Sequence, residues 1–131
     1  MLKLWDLRSN SDPSLLLEHN MVLNHVDSRG QRVLCCDRNG NVKIGDLRSP
    51  GMLLGSVNLE FKESVMCKPF WRDEKTFVAC SPSGNILICS DRRILQKHDT
   101  QKKLQHICCD NTDPSKIFGV SKYEEILSWT L

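Results

Sequence analysis

The chain has 131 residues, enough for one domain around one hydrophobic core. With 40% hydrophobic and 26% charged residues, its composition is that of a globular rather than a disordered chain. Eighteen basic residues against 16 acidic ones give a net charge of +2, too balanced for direct binding to nucleic acid or to an acidic membrane surface.

Short β-like runs follow one another along the chain. The expected strands are Leu2 to Leu7, Met21 to Val26, Arg32 to Cys36, Val42 to Asp46, Met52 to Val57 and Ser64 to Phe70. Then come Thr76 to Cys80, Ile86 to Ser90, Ile94 to Lys97, Leu104 to Cys109, Lys116 to Val120 and Ile126 to Leu131. Turn residues separate many of them: Asn39-Gly40, Ser49-Pro50-Gly51, Ser83-Gly84 and Asp113-Pro114. No stretch has the 3.6-residue period of an amphipathic helix. Asn39-Gly40 between two apolar runs predicts a hairpin with two positive-φ residues, and Ser83-Gly84 repeats the pattern. The basic stretch Lys97 to Lys103, interrupted by Asp99, reads as a solvated loop.

A repeat runs through these strands. Met1-Leu2-Lys3-Leu4-Trp5-Asp6 aligns with Asn41-Val42-Lys43-Ile44-Gly45-Asp46, Asn85-Ile86-Leu87-Ile88-Cys89-Ser90 and Glu125-Ile126-Leu127-Ser128-Trp129-Thr130. A period of about 40 to 45 residues with four strands per unit is that of a propeller blade. The units run roughly over 1–8, 9–48, 49–92 and 93–131.

Leu2-Lys3-Leu4-Trp5-Asp6-Leu7-Arg8-Ser9 resembles the end of a repeat in the WD-repeat β-propeller family, whose units close on Trp-Asp and open on Gly-His. Trp5 and Asp6 match both closing positions, Trp129 matches the Trp, and Asp46 matches the Asp. His19 and His98 fall near the opening His. The resemblance implies an all-β fold, a partial propeller of about three four-stranded antiparallel blades. Repeats of that family carry a buried His, Ser/Thr, Trp and Asp network, which no blade here can complete, since Asn39, Ser83 and Tyr123 stand where the turn Asp is expected; apolar packing is expected to hold the blades instead. The ends of the sequence fall within units, so the expectation is an open arc that works inside a larger propeller or assembly.

For function, the resemblance implies a non-catalytic protein–protein interaction scaffold without cofactors. Arg8, Arg48 and Arg92 recur just beyond successive third strands and are candidates to meet partner carboxylates, or else to pair with a neighbouring Asp. Trp71 is a candidate aromatic anchor, or else packs between blades. Trp5-Asp6-Leu7-Arg8 also fits the Trp-Asp-x-Arg box of WD-repeat substrate receptors in cullin-RING ubiquitin ligases, which makes Asp6 and Arg8 candidates for contact with a ligase adaptor. A chromatin- or RNA-associated propeller subunit is a third reading.

No nucleophile elbow, P-loop, dinucleotide fingerprint or metal-binding His spacing occurs, so no catalytic or metal site is expected. The seven cysteines include no Cys-x-x-Cys pair. Cys35, Cys36, Cys80 and Cys108 are expected to be buried and reduced, acting as small hydrophobes. No apolar run approaches the roughly 20 residues of a membrane helix, and Met1 to Asp6 lacks the layout of a signal peptide. The expected location is cytoplasmic or nuclear.

Overall fold

The computed structural model describes residues 1–61, 67–123 and 125–131. Among them there are strands, turns and loops but no helix. The strands are β1 (Leu2–Leu4), β2 (Ser14–Leu17), β3 (Leu23–Arg29), β4 (Arg32–Asp37), β5 (Asn41–Asp46), β6 (Gly55–Asn58) and β7 (Phe70–Trp71). They continue with β8 (Phe77–Cys80), β9 (Asn85–Cys89), β10 (Ile94–Asp99), β11 (Leu104–Cys109), β12 (Lys116–Ser121) and β13 (Ile126–Thr130).

All pairing is antiparallel between chain neighbours. Two four-stranded sheets, β3 to β6 and β7 to β10, lie between a two-stranded sheet, β1-β2, and a three-stranded sheet, β11 to β13. Three hydrophobic clusters join successive sheets. Leu16 and Leu17 meet Val33 and Cys35; Leu34, Cys36 and Ile44 meet Trp71, Phe77 and Ala79; Val78, Ile86 and Ile88 meet Leu104, Ile107 and Ile117. Face-packed antiparallel sheets arranged in sequence are the blades of a partial β-propeller.

Packing explains the apolar runs. β4 and β9 are buried along almost their whole lengths, because their sheets have neighbours on both faces. β12 alternates exposed and buried residues, with Ile117 and Gly119 packed inward and Phe118 and Val120 outward. The sequence units interlock with the sheets. Unit 9–48 holds β2, β3, β4 and β5, so its first strand closes one sheet and its other three open the next. Units 49–92 and 93–131 do the same with β6 to β9 and β10 to β13.

Several sequence expectations are corrected. β2 was not foreseen; Leu16 and Leu17 make it a packed outer strand, with Leu17 filling the space beside Gly45. β1 stops at Leu4, because Asp6 starts a turn that Arg8 and Ser9 close onto it. The strand expected over Ser64 to Phe70 falls partly outside the described residues; the described part begins at Phe70. The Lys97 to Lys103 stretch enters β10 before it turns.

The hairpin turn differs as well. Of Asn39 and Gly40 only the glycine has positive φ, +77°. The turn is Asp37-Arg38-Asn39-Gly40, closed by the Gly40 N–H to the Asp37 carbonyl at 3.2 Å. Asp in the first position and Gly in the fourth is the preference of a type I turn. Ser81 to Gly84 repeats it, with a 3.0 Å closing bond and Gly84 at φ +106°. Cys35 and Cys36 are buried and Cys80 is half-buried, but Cys108 is exposed on the outward face of β11. Strand alternation turns it away from the sheet that Ile107 packs against.

Candidate functional site: an arginine-bearing face

Turns at one end of the strands define a face. The β3–β4 turn adjoins the β5–β6 loop through the Leu47 N–H to the Gln31 carbonyl, 2.8 Å. The β7–β8 turn meets the same end of β4 through an Arg32 Nη1 bond to the Glu74 carbonyl, 3.0 Å. Of the chain's eight arginines, all but Arg38 lie at these strand ends or in these turns: Arg8, Arg29, Arg32, Arg48, Arg72, Arg92 and Arg93. Arg38 sits in the Asp37 to Gly40 turn, at the other end of β4.

Two arginines are held in identical clamps. Asp6 Oδ1 accepts the Arg8 backbone N–H and its Nε–H, and Oδ2 accepts Nη2–H, each at 3.0 Å. Asp46 does the same for Arg48 at 2.8, 2.9 and 2.6 Å. A carboxylate bonding the amide two residues on is the Asx turn, and the bidentate fork fixes the guanidinium. The Arg48 fork and amide hold the Asp46 carboxyl down to about 2. Asp6 is lowered by the same pair of Arg8 bonds.

The third copy lacks the clamp. Ser90 stands where Asp6 and Asp46 stand, and its Oγ accepts only the Arg92 and Arg93 amides, each at 3.3 Å. Asp91 instead pairs with Arg32 across the blade boundary, 3.6 Å. Among the described residues the exposed Arg92 and Arg93 guanidiniums have no carboxylate partner.

Trp71 is not an exposed anchor. It is buried, its ring meets Phe77 edge-on with centroids 6.0 Å apart, and the Arg32 guanidinium carbon lies 5.6 Å from its ring centroid. Its amide donates to Asp27 Oδ2 at 2.8 Å, tying β7 to β3. Trp71 therefore seals the seam between blades while Arg32 spans it.

The structural positions also divide. Trp129 is half-buried against the Ile107 and Ile117 cluster and lies over Gly119, whereas Trp5 is 63% exposed. The His19 side chain is buried, with Nδ1 3.4 Å from Asp37 Oδ2. Burial lowers the His19 pKa and outweighs the attraction of Asp37, a balance that favours the neutral ring. His98 lies on β10 beside Gln96, 3.2 Å away, and joins no such pair among the described residues.

Asp37 is the residue that sequence reasoning missed. It is buried and accepts the Asn39 amide at 2.8 Å, the Asn41 amide at 3.1 Å and Asn41 Nδ2 at 3.0 Å. Ser81 and Ser121 take its place in the later copies. The expected turn position was two residues late; the recurrence of Asp37, Ser81 and Ser121 at the repeat spacing was the available signal.

A pocket of about 270 Å³ opens where the innermost strands β3, β7 and β11 converge on the arginine face. Asp27, Ser28, Arg29, Phe70, Trp71, Cys108, Cys109 and Asn111 line it. Among the described residues no three His, Cys, Asp or Glu side chains come together as metal ligands.

Sheet order, packing and turn faces make this chain a partial β-propeller. No family model matches the sequence, and no curated protein matches it. Solved structures do. BamB from Moraxella catarrhalis, a β-propeller protein, superposes with a TM-score of 0.63 at 14% identity, over 81% of this chain and 31% of that one. BBS1N, another β-propeller protein whose structure is of a complex with ARL6DN, superposes with a TM-score of 0.68 at 10% identity, over 87% and 38%. The chain thus spans about a third of the length of each, and at these identities the likeness is one of fold.

Proposed function

We propose that this chain is a non-catalytic protein-interaction scaffold that docks partners on its arginine face. The carrying observation is the gathering of seven of eight arginines at one end of the blades, two of them pre-set by Asp6 and Asp46. A guanidinium has five N–H donors, and each clamp uses only Nε–H and one Nη2–H, leaving the rest for a partner carboxylate. Fixing the fork beforehand lowers the ordering cost of binding. Turns on a rigid sheet scaffold are suited to such docking.

The narrower reading is a substrate receptor of a cullin-RING ubiquitin ligase, working in the cytoplasm or nucleus. It is favoured by the Asp6-Leu7-Arg8 and Asp46-Leu47-Arg48 segments, which present the same clamp in consecutive units.

The test is affinity capture with cross-linking, comparing the full chain with an R8A/R48A/R92A variant and with R38A from the opposite face. The scaffold reading expects capture to fall with the triple variant and to persist with R38A; the reverse pattern overturns it. For the narrower reading, purified ligase adaptor is titrated against R8A and R48A. Adaptor binding that neither substitution weakens rules that reading out.

A further inference from the structure

Arg29 stands apart on the arginine face. Arg8, Arg32, Arg48 and Arg72 each have a carboxylate partner, whereas Arg29, at the end of the innermost strand β3, has none among the described residues. Unlike Arg92 and Arg93, which project from an outer turn, Arg29 lines a pocket. That pocket has a volume of about 270 Å³, room enough for a side chain.

Its walls have distinct roles. The Trp71 and Phe70 side gives an apolar wall, while Ser28 and Asn111 supply a hydroxyl and an amide. Asp27 is the one carboxylate of the lining, and it already accepts the Trp71 amide at 2.8 Å. Arg72 adds a second guanidinium nearby, with its Nε buried and lacking a hydrogen-bond partner. Arg29 and Arg72 both favour the thiolate of Cys109, although burial keeps that thiol above its ordinary range. Cys108 is exposed at the rim.

We propose that this pocket seats an acidic side chain, Asp or Glu, from a partner segment docked on the arginine face, with Arg29 as its ion-pair partner. The inference rests on the scaffold reading and deepens it. Residues at the outer turns would orient the partner, and Arg29 would select for a carboxylate at the centre. A guanidinium against a carboxylate in a partly enclosed site gives a charge-assisted, directional contact.

Cys108 provides the assay, since an occupied pocket shields its thiol from alkylation by a fluorescent iodoacetamide. C108S identifies its share of the signal. The probes are acetyl-Gly-Glu-Gly-amide and acetyl-Gly-Gln-Gly-amide at matched ionic strength, with inorganic phosphate as a third arm. The glutamate peptide is expected to slow Cys108 alkylation at least about threefold at millimolar concentration, the range a single charge-assisted contact supports. The glutamine peptide is expected to leave it unchanged. R29Q is expected to lose the protection, R29K to keep part of it, and R92Q/R93Q to keep it whole. Thermal melts of each variant guard against loss of fold. Equal protection by both peptides, protection by neither, protection by phosphate alone, or full protection in folded R29Q overturns the proposal. If that happens while capture still depends on Arg8, Arg48 and Arg92, the pocket has failed and the scaffold has not.

Discussion

Asp37→Ala is the most informative single substitution, because the same position carries Asp37, Ser81 and Ser121 in three successive hairpins. Asp37 accepts two backbone amides and the Asn41 side-chain amide, and it faces the buried His19 ring. Hydrogen bonds to a charged group are worth about 1.5–3 kcal/mol each, and a donor left unsatisfied costs about 1–3 kcal/mol. The bonded amides are only partly buried, so water replaces some of what is lost. A net cost of about 2–4 kcal/mol follows for Asp37→Ala. Ser121 accepts two amides at 3.2 Å, and Ser81 accepts one amide at 3.2 Å and bonds the Ser83 hydroxyl at 2.8 Å. As neutral acceptors they are expected to cost about 1 kcal/mol each when replaced by Ala. Asp37→Asn keeps an acceptor without the charge and should fall between. Urea unfolding followed by tryptophan fluorescence gives the order, with unchanged slopes showing that stability alone has changed. A D37A midpoint equal to that of the unaltered chain, or a larger loss in S81A than in D37A, would refute the assignment of Asp37 as the hairpin's polar anchor.

Gly84→Ala is expected to destabilise more than Gly30→Ala, although both residues have positive φ. An added Cβ at Gly84 would lie 2.2 Å from the Lys102 carbonyl oxygen, while at Gly30 it meets nothing within 4 Å; equal melting temperatures would contradict this. Trp71→Ala should cost about 3–5 kcal/mol as a large-to-small core change, and Arg32→Ala less; comparable denaturation midpoints for the two would place the ring outside the core. Burial lowers the pKa of both His19 and His25, so their neutral forms favour the fold above the ordinary histidine value of 6.5. That stability is lost as pH falls below 6.5 through the folded values, and H19Q should flatten only part of the fall in melting temperature. Asp46 acts lower down: its contribution is complete above 3.8 and disappears as pH falls towards about 2, a dependence that R48A should remove.

Local chemistry made the strands, the glycine turns and the repeat legible, because each depends on residues near one another in the chain. Alternating or continuous apolar runs, turn glycines and a period near 40 residues led to stacked antiparallel sheets, and the structure has them. The repeated arginines were legible for the same reason, since their register follows from the last strand of each unit. What the sequence left open was which faces meet. Adjacent Cys35 and Cys36 are both buried because sheets cover both sides of β4, whereas Cys108 points outward from β11. The sequence favoured packing for Trp71 but left an exposed anchor open; the approach of Arg32 and Phe77 closed it in. Asp37 looked like any turn residue until His19, 18 positions earlier, arrived beside it. The pocket by Arg29 draws on three innermost strands far apart in the chain. Burial, pairing and enclosure are set by distances through space, and those exist only once the blades have packed.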